Sequence, residues 1–494
     1  MAARPSAAVT PDVWLDGIVS TFEEALRALP KEGEWLRLSL PGPSFAQAMA
    51  AMASLSSTGP ACFWRSREGE YLLSAGEACV LEASGESRFA SIRQAAAQVE
   101  ARIEARTLAG AEPRPPRFLG GFAFESALRP DPRWASWAPA RFALPRWTYE
   151  IDAEGQSTLS LSIAREELER GERARAIEEV RTWFKATPQG SEALAMHRLH
   201  ASPRESELAA WSALVEGAQG ALQPGRLEKV VLARRSEISL SSSVDPSLLW
   251  RRAVERFPSC TQFVFRSRHS SFVGASPERL VRKQGATLWT EALAGSAAVG
   301  EAEGLQRSEK NRYEHELVRA YVVDRLRSRG LRVHFAAAPR LWVLPNVAHL
   351  HTPIRSEVAP EAHVLEWVEL LHPTPALCGL PVDEARAWLR AHEGLERGWY
   401  GGPVGWFDGA GNGEFAVALR CALLEASRAT LYAGAGIVAA SRAADEYVET
   451  EMKMAAMAAL FEAEARPTLK GESAKLRRAS DAEGWDANAL HPHD

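Results

Sequence analysis

The chain has 494 residues, 46% of them hydrophobic and 24% charged, and a formal net charge of −5. That length holds one large core or two domains, and the lack of a basic excess argues against nucleic acid or an anionic membrane as partner. No run of eighteen apolar residues offers a membrane span, and MAARPSAAVTPDVW has no apolar stretch behind its arginine to act as a secretory signal.

Cys62, Cys79, Cys260, Cys378 and Cys421 are scattered and lack CxxC spacing. This argues against a disulfide framework or a structural zinc site and fits a reducing, cytoplasmic setting. No internal repeat, dimer helix or exposed apolar repeat stands out, so a monomer is the default expectation.

Residues 1–195 are rich in Ala, Arg and Pro, and their clearest feature is RFLGGFAFE (117–125). Its glycines break an apolar run, as at a bend or a close backbone approach. REELERGERARAIEEVRTWF reads as one solvated helix over a core stripe, followed by a polar link around TPQGSE. From about 203 the patterning sharpens. SELAAWSALVEGAQGAL is a helix ending at Pro224-Gly225, and LEKVVLARRSEISL is a β-branched, apolar strand. Asp245-Pro246 supplies an N-cap and a first-turn proline for SLLWRRAVERF. TQFVFRS, SFVGAS, ERLVRK and ATLWTEAL read as strands, and a long helix spans about 306–329. A last helix runs from about Ala443 to Glu464, before a polar tail at 466–494 that cannot pack. Strand clusters broken by a few helices define an α+β enzyme rather than regular βαβ alternation.

Two helices carry candidate carboxylates. Glu314 shares a stripe with Leu317, Val318 and Tyr321, where a charge must be paired, protonated or bound to metal. The alternative is a stripe-edge glutamate paired with Arg319. In the last helix Glu446, Glu449 and Lys453 share a face with Met452, Ala456 and Leu460. Glu449 and Lys453 are spaced for an ordinary i,i+4 ion pair, yet two such carboxylates, with water and an anionic substrate, also suit Mg²⁺. His315 lacks the second histidine of HExxH, because Arg319 stands there. His349 and His351 share one face of a strand without a third ligand, so zinc is set aside. Gly434-Ala-Gly436-Ile-Val-Ala439 matches GxGxxA after a strand and would suggest an NAD(P)-linked oxidoreductase. No helix opens at its second glycine and no acidic residue ends a later strand. A backbone nest for a carboxylate is the better reading.

Ten ordered blocks then carry a resemblance. They are EKVVLARR (228–235), GASPERL (274–280), TEALAGS (290–296), EKNRYEHELV (309–318), HLHTPI (349–354), HPTPALCGLP (372–381), WYGGPVGW (399–406), NGEFAVALR (412–420), YAGAGIV (432–438) and DEYVETEMK (445–453). From about 203 to 464 the chain resembles the chorismate-utilising enzymes, which comprise isochorismate, salicylate, anthranilate and aminodeoxychorismate synthases. GGFAFE resembles a segment of the menaquinone-type isochorismate synthases.

The resemblance implies two large β-sheets packed together, helices on the outside and an active site in a central cleft. Residues 1–195 would complete the sheets around a catalytic region at 196–465. It implies chorismate as substrate and Mg²⁺ held by Glu314 and Glu449. Arg420, Tyr400, Lys453, His349, Ala376 and the Gly434–Gly436 backbone would contact substrate. Lys229 matches the base that activates water for attack at C2, where amine-transferring members carry glutamine. Glu278 matches the acid that protonates the departing C4 hydroxyl; without the family, it would read as a turn carboxylate paired with Arg279. Ala294 stands where aminodeoxychorismate synthases carry a nucleophilic lysine, and Ala376 where salicylate synthases tend to carry threonine. The expected activity is therefore isochorismate synthesis, feeding menaquinone or, alternatively, a siderophore, with salicylate synthesis as the rival. Ser296, Cys421 and Asn311 depart from the usual threonine, serine and acid.

Overall fold

The computed structural model describes residues 11–27, 33–55, 59–108, 110–187, 199–200, 204–344 and 347–462. The polar link beyond Thr187 and the 466–494 tail lie outside these residues. Among them, no helix is long and apolar enough to cross a membrane.

The α+β class is as expected, and the two sheets are joined. Their strands form one hydrogen-bonded network of 21, with two arms meeting at a long bent pair, Tyr71–Ala83 against Ala140–Ile151. The register shifts between Glu77 and Cys79, next to Gly76, whose positive φ of 69° turns the ribbon from one arm into the other. The first arm passes through Ala61–Arg65, Thr261–Arg266, Ser271–Ser276, Cys421–Glu425 and Arg428–Ile437 to Lys229–Ser239. The second leaves through Arg117–Phe122 and Pro403–Asp408. It continues by Gly413–Val417, Arg279–Gln284 and Thr287–Ala298 to Val347–Glu357. Strands from the N-terminal third thus form the join, and strands from later in the chain extend from them into both arms.

The glycines of RFLGGF explain how the second arm closes. A Cβ on Gly120 would lie 1.9 Å from the Arg141 carbonyl oxygen, and one on Gly121 2.8 Å from Val404. Both neighbouring strands approach too closely for any side chain there. One buried cluster then takes side chains from both arms, with Phe118, Phe142 and Phe407 meeting Val230, Leu232 and Ile437. That cluster fixes how the arms pack across the central cleft.

Helices flank the sheet, one of them starting at the cap expected from the sequence. Asp245 accepts from Ser247 N to start Pro246–Arg256, and Ser308 accepts from Asn311 N to start Glu309–Arg327. Three helical expectations change in detail. The stretch after Arg165 is two helices, Arg165–Glu169 and Arg173–Lys185, because Gly171 takes a left-handed conformation (φ 88°). The last α-helix is Ala443–Ala458, tightening to a single 3-10 turn at Ala459–Phe461. Met452, expected on its apolar stripe, is exposed, while Ala456 and Leu460 are buried.

Candidate active site

A cavity of about 240 Å³ opens between the ends of both arms and the two carboxylate helices. Every residue given a catalytic, substrate-binding or metal-binding expectation from the sequence lines it: Lys229, Glu278, Glu314, His349, Ala376, Tyr400, Arg420, Gly434, Gly436, Glu449 and Lys453. Residues spread over 225 positions of sequence are brought together because the strands and helices carrying them converge on one cleft.

Lys229 opens the strand that pairs with Arg428–Ile437. It is no solvated edge charge, being only 7% exposed, with no hydrogen bond or ion pair among the described residues. Burial lowers its pKa, Lys453 adds to the effect, and Glu314, Glu449 and Glu446 oppose it without reversing it. Gly436 makes room for the side chain, because a Cβ there would lie 2.6 Å from Lys229 Cε and 3.1 Å from Nζ. Gly434 does the same for Tyr400, whose hydroxyl would lie 3.0 Å from a Cβ. The glycines of the YAGAGIV block therefore make room for two side chains that line the cavity.

Glu278 sits in the turn between Ser271–Ser276 and Arg279–Gln284. Pairing with Arg279 does not occur, since that guanidinium is taken by Glu68 and Glu414. Burial, reinforced by the charge of Glu291, lifts the Glu278 pKa to about 8 against the pull of Arg67, Arg420 and Lys453. At neutral pH the group is a carboxylic acid able to donate a proton.

The carboxylates face the same space. Arg319 pairs with Glu316, leaving Glu314 to the cavity. Glu449 and Lys453 do form the i,i+4 pair, at 2.6 Å, and Lys453 Nζ also donates to the Gly434 carbonyl oxygen at 2.8 Å. Burial raises the Glu449 pKa, but the Lys453 ammonium outweighs it and holds the carboxylate ionised. Glu446 lies beside them, buried, with a raised pKa. Among the described residues, no three or more His, Cys, Asp or Glu side chains close on an ion by themselves. Two hard carboxylates facing an open cavity instead fit an octahedral Mg²⁺ that keeps water and takes substrate oxygens.

Of the cavity's cations, Lys453 is paired with Glu449 and Arg420 is not paired among the described residues. Arg420 has a half-buried guanidinium with no hydrogen bond among the described residues, on a backbone held at φ 47°. A non-glycine residue in that region marks a position that the surroundings over-determine. Tyr400 is buried and stacks on Tyr432 with ring centroids 5.4 Å apart. His349 Nδ1 lies 2.8 Å from Ser296 Oγ, while its buried Nε2 has no hydrogen-bond partner among the described residues. Burial, with Arg420 and Lys453 adding, keeps this imidazole neutral with a pKa of about 3. The Ser296 departure thus retains the hydroxyl that holds His349. Asn311 Nδ2, where an acid is usual, bonds Ser308 Oγ at 3.0 Å at the helix cap.

Three features escaped the sequence reading or change it. Arg397 lines the cavity as part of a buried pair with Glu393 (2.6 Å) and donates to the Leu377 and Val231 carbonyl oxygens. It ties the Lys229 strand to the loop bearing Ala376, and its only sequence signal was proximity to WYGGPVGW. Lys310, which the sequence reading passed over, also lines the cavity, as does Glu446, already read on the face of Glu449. The two glycines of the GxGxxA match lie inside the strand Arg428–Ile437, the match runs two residues past its end, and the next helix starts at Ala443. A dinucleotide site needs its glycines in the turn that opens the helix, so the oxidoreductase reading falls.

Fold and cavity together define a chorismate-cleft architecture, and comparison with known proteins assigns it. Residues 23–462 match the family described as chorismate binding enzyme, and the chain belongs to that family. It is 34% identical over 420 residues to the salicylate biosynthesis isochorismate synthase of Pseudomonas aeruginosa, covering 81% of this chain and 84% of that one. It is 32% identical over 364 residues to isochorismate synthase MenF of Bacillus subtilis, covering 71% and 76%. Among solved structures, MenF, the menaquinone-specific isochorismate synthase from Escherichia coli, superposes with a TM-score of 0.73 at 25% identity. That match covers 91% of this chain and all of the other.

Proposed function

We propose that the protein is an isochorismate synthase, an isomerase that converts chorismate to isochorismate. The observation that carries this reading is one cavity holding a buried lysine with a lowered pKa and a buried glutamic acid with a raised one. Opposed environments of this kind assign a base and an acid at one pH. Lys229 Nζ takes a proton from water as its oxygen bonds to C2. The two ring double bonds shift, the C4–O bond breaks, and Glu278 gives its proton to the departing hydroxyl. One water enters and one leaves, so the step is an isomerisation.

Arg420 and Tyr400 would hold substrate carboxylate, with Lys453 and the Gly434–Gly436 strand beside them. His349, neutral and with a free Nε2, would hydrogen-bond a substrate oxygen. Glu314 and Glu449 would hold Mg²⁺, which when bound offsets the negative charge of a substrate carboxylate. Identity with two isochorismate synthases supports this product over salicylate, as does alanine at position 376. The match along the full length of a menaquinone-specific enzyme supports menaquinone as the product's destination.

Turnover in ¹⁸O-enriched water tests the chemistry. Isochorismate should carry the label in its new C2 hydroxyl; isochorismate formed without label would exclude direct attack by solvent water.

A further inference from the structure

The turn that carries Glu278 is gripped from behind by a charge network that reaches into the N-terminal third of the chain. Glu291 accepts four hydrogen bonds. Oε1 receives Arg279 N at 2.7 Å and Arg67 Nη2 at 2.6 Å, and Oε2 receives Arg67 Nη1 at 2.8 Å and His351 Nε2 at 3.0 Å. Arg340 Nε donates to His351 Nδ1 at 3.2 Å, which leaves the proton of the neutral ring on Nε2, facing Glu291. Four donors on two oxygens require an ionised carboxylate. The Arg67 guanidinium also donates to the Pro277 carbonyl oxygen and lies 4.3 Å over the Trp342 ring. The backbone on both sides of Glu278, at Pro277 and Arg279, is thereby fixed by the Arg67–Glu291 pair. Glu291 and His351 are buried, and Arg67 is nearly so.

We infer that Glu291 and Arg67 are positioning residues for the proposed acid, holding the Pro277–Arg279 turn so that the Glu278 carboxyl faces the cavity. This rests on the reading of Glu278 as the acid of the reaction. The pair also sets the field at that carboxyl. Glu291 favours its protonated form, while Arg67, together with Arg420 and Lys453 across the cavity, favours the ionised one. Removing Glu291 or Arg67 therefore perturbs the same turn but moves the acid's titration in opposite directions.

The pH profile of kcat for Glu291→Gln and Arg67→Met, with chorismate and Mg²⁺, separates positioning from general structural support. Each variant should lose about tenfold or more in kcat with KM changed less than about threefold. The alkaline limb should move to lower pH in Glu291→Gln and to higher pH in Arg67→Met. Glu291→Asp, which keeps the charge, should leave the limb near its wild-type position. Limbs that stay fixed or move together would overturn the inference, as would an unchanged kcat. If Glu291→Gln does not fold, the direction of the Arg67→Met limb decides alone. Full activity in Glu278→Gln would instead overturn the assignment of the acid, and so distinguishes that failure from this one.

Discussion

Lys229→Met is expected to lower kcat for isochorismate formation by about 10²- to 10⁴-fold, the usual contribution of a positioned base, which is roughly 3–5 kcal/mol of barrier. Chorismate binding should change little, because the carboxylate-binding groups, Arg420 and Tyr400, remain. Stability should move the other way. A lysine whose folded pKa is lowered holds its proton less tightly in the folded state than in the unfolded state, so below the unfolded pKa of about 10.4 its burial costs stability. Methionine fills the same space beside Gly436 without that cost. The variant should therefore unfold at the same or a higher temperature at pH 7, and a large loss of Tm would contradict the burial argument.

Glu278→Gln is expected to produce a comparable loss, about 10²- to 10⁴-fold in kcat, since the amide cannot give a proton to the leaving hydroxyl. The wild-type profile follows from the pKa of about 8. The acid form predominates at neutral pH, and kcat should fall as pH rises through about 8. For stability the sign is again the reverse of a stabilising carboxylate. The folded state holds a proton that the unfolded state releases near pH 4.3, so stability declines between about pH 4 and 8, by at most about 5 kcal/mol. Glutamine removes this decline, and the variant's Tm at pH 8–9 should exceed that of wild type. An unaltered kcat, or a lower Tm at that pH, would contradict the assignment.

The residues whose chemistry is visible in their type were legible in the sequence. Lys229, Glu278, Glu314 and Glu449 stood in ordered blocks, and each faces the cavity. For Lys229, Glu278 and Glu314 an ordinary surface reading was available, and only burial and partner choice decide against it. Arg279 turns to Glu68 and Glu414, and Arg319 turns to Glu316. The Glu449–Lys453 pair shows that the two readings can both hold, because it is an i,i+4 ion pair that also faces the site.

What was not legible depends on distance along the chain. Arg67 sits in an unremarkable charged turn, and its partner Glu291 is 224 positions away. Nothing local links them. The bent pair that joins both arms likewise sets Tyr71–Ala83 against Ala140–Ile151 across four intervening elements. Local patterning gave the strands without their neighbours. The break at Gly171 was missed for a simpler reason: charged helical residues on both sides outweighed a single glycine, although its left-handed backbone ends the helix.

The most direct test is incubation of the purified full chain with chorismate and Mg²⁺, with the products separated by chromatography. The account predicts isochorismate as the sole product, with turnover lost on chelation and restored by added Mg²⁺. Salicylate with pyruvate, or no consumption of chorismate, would contradict it.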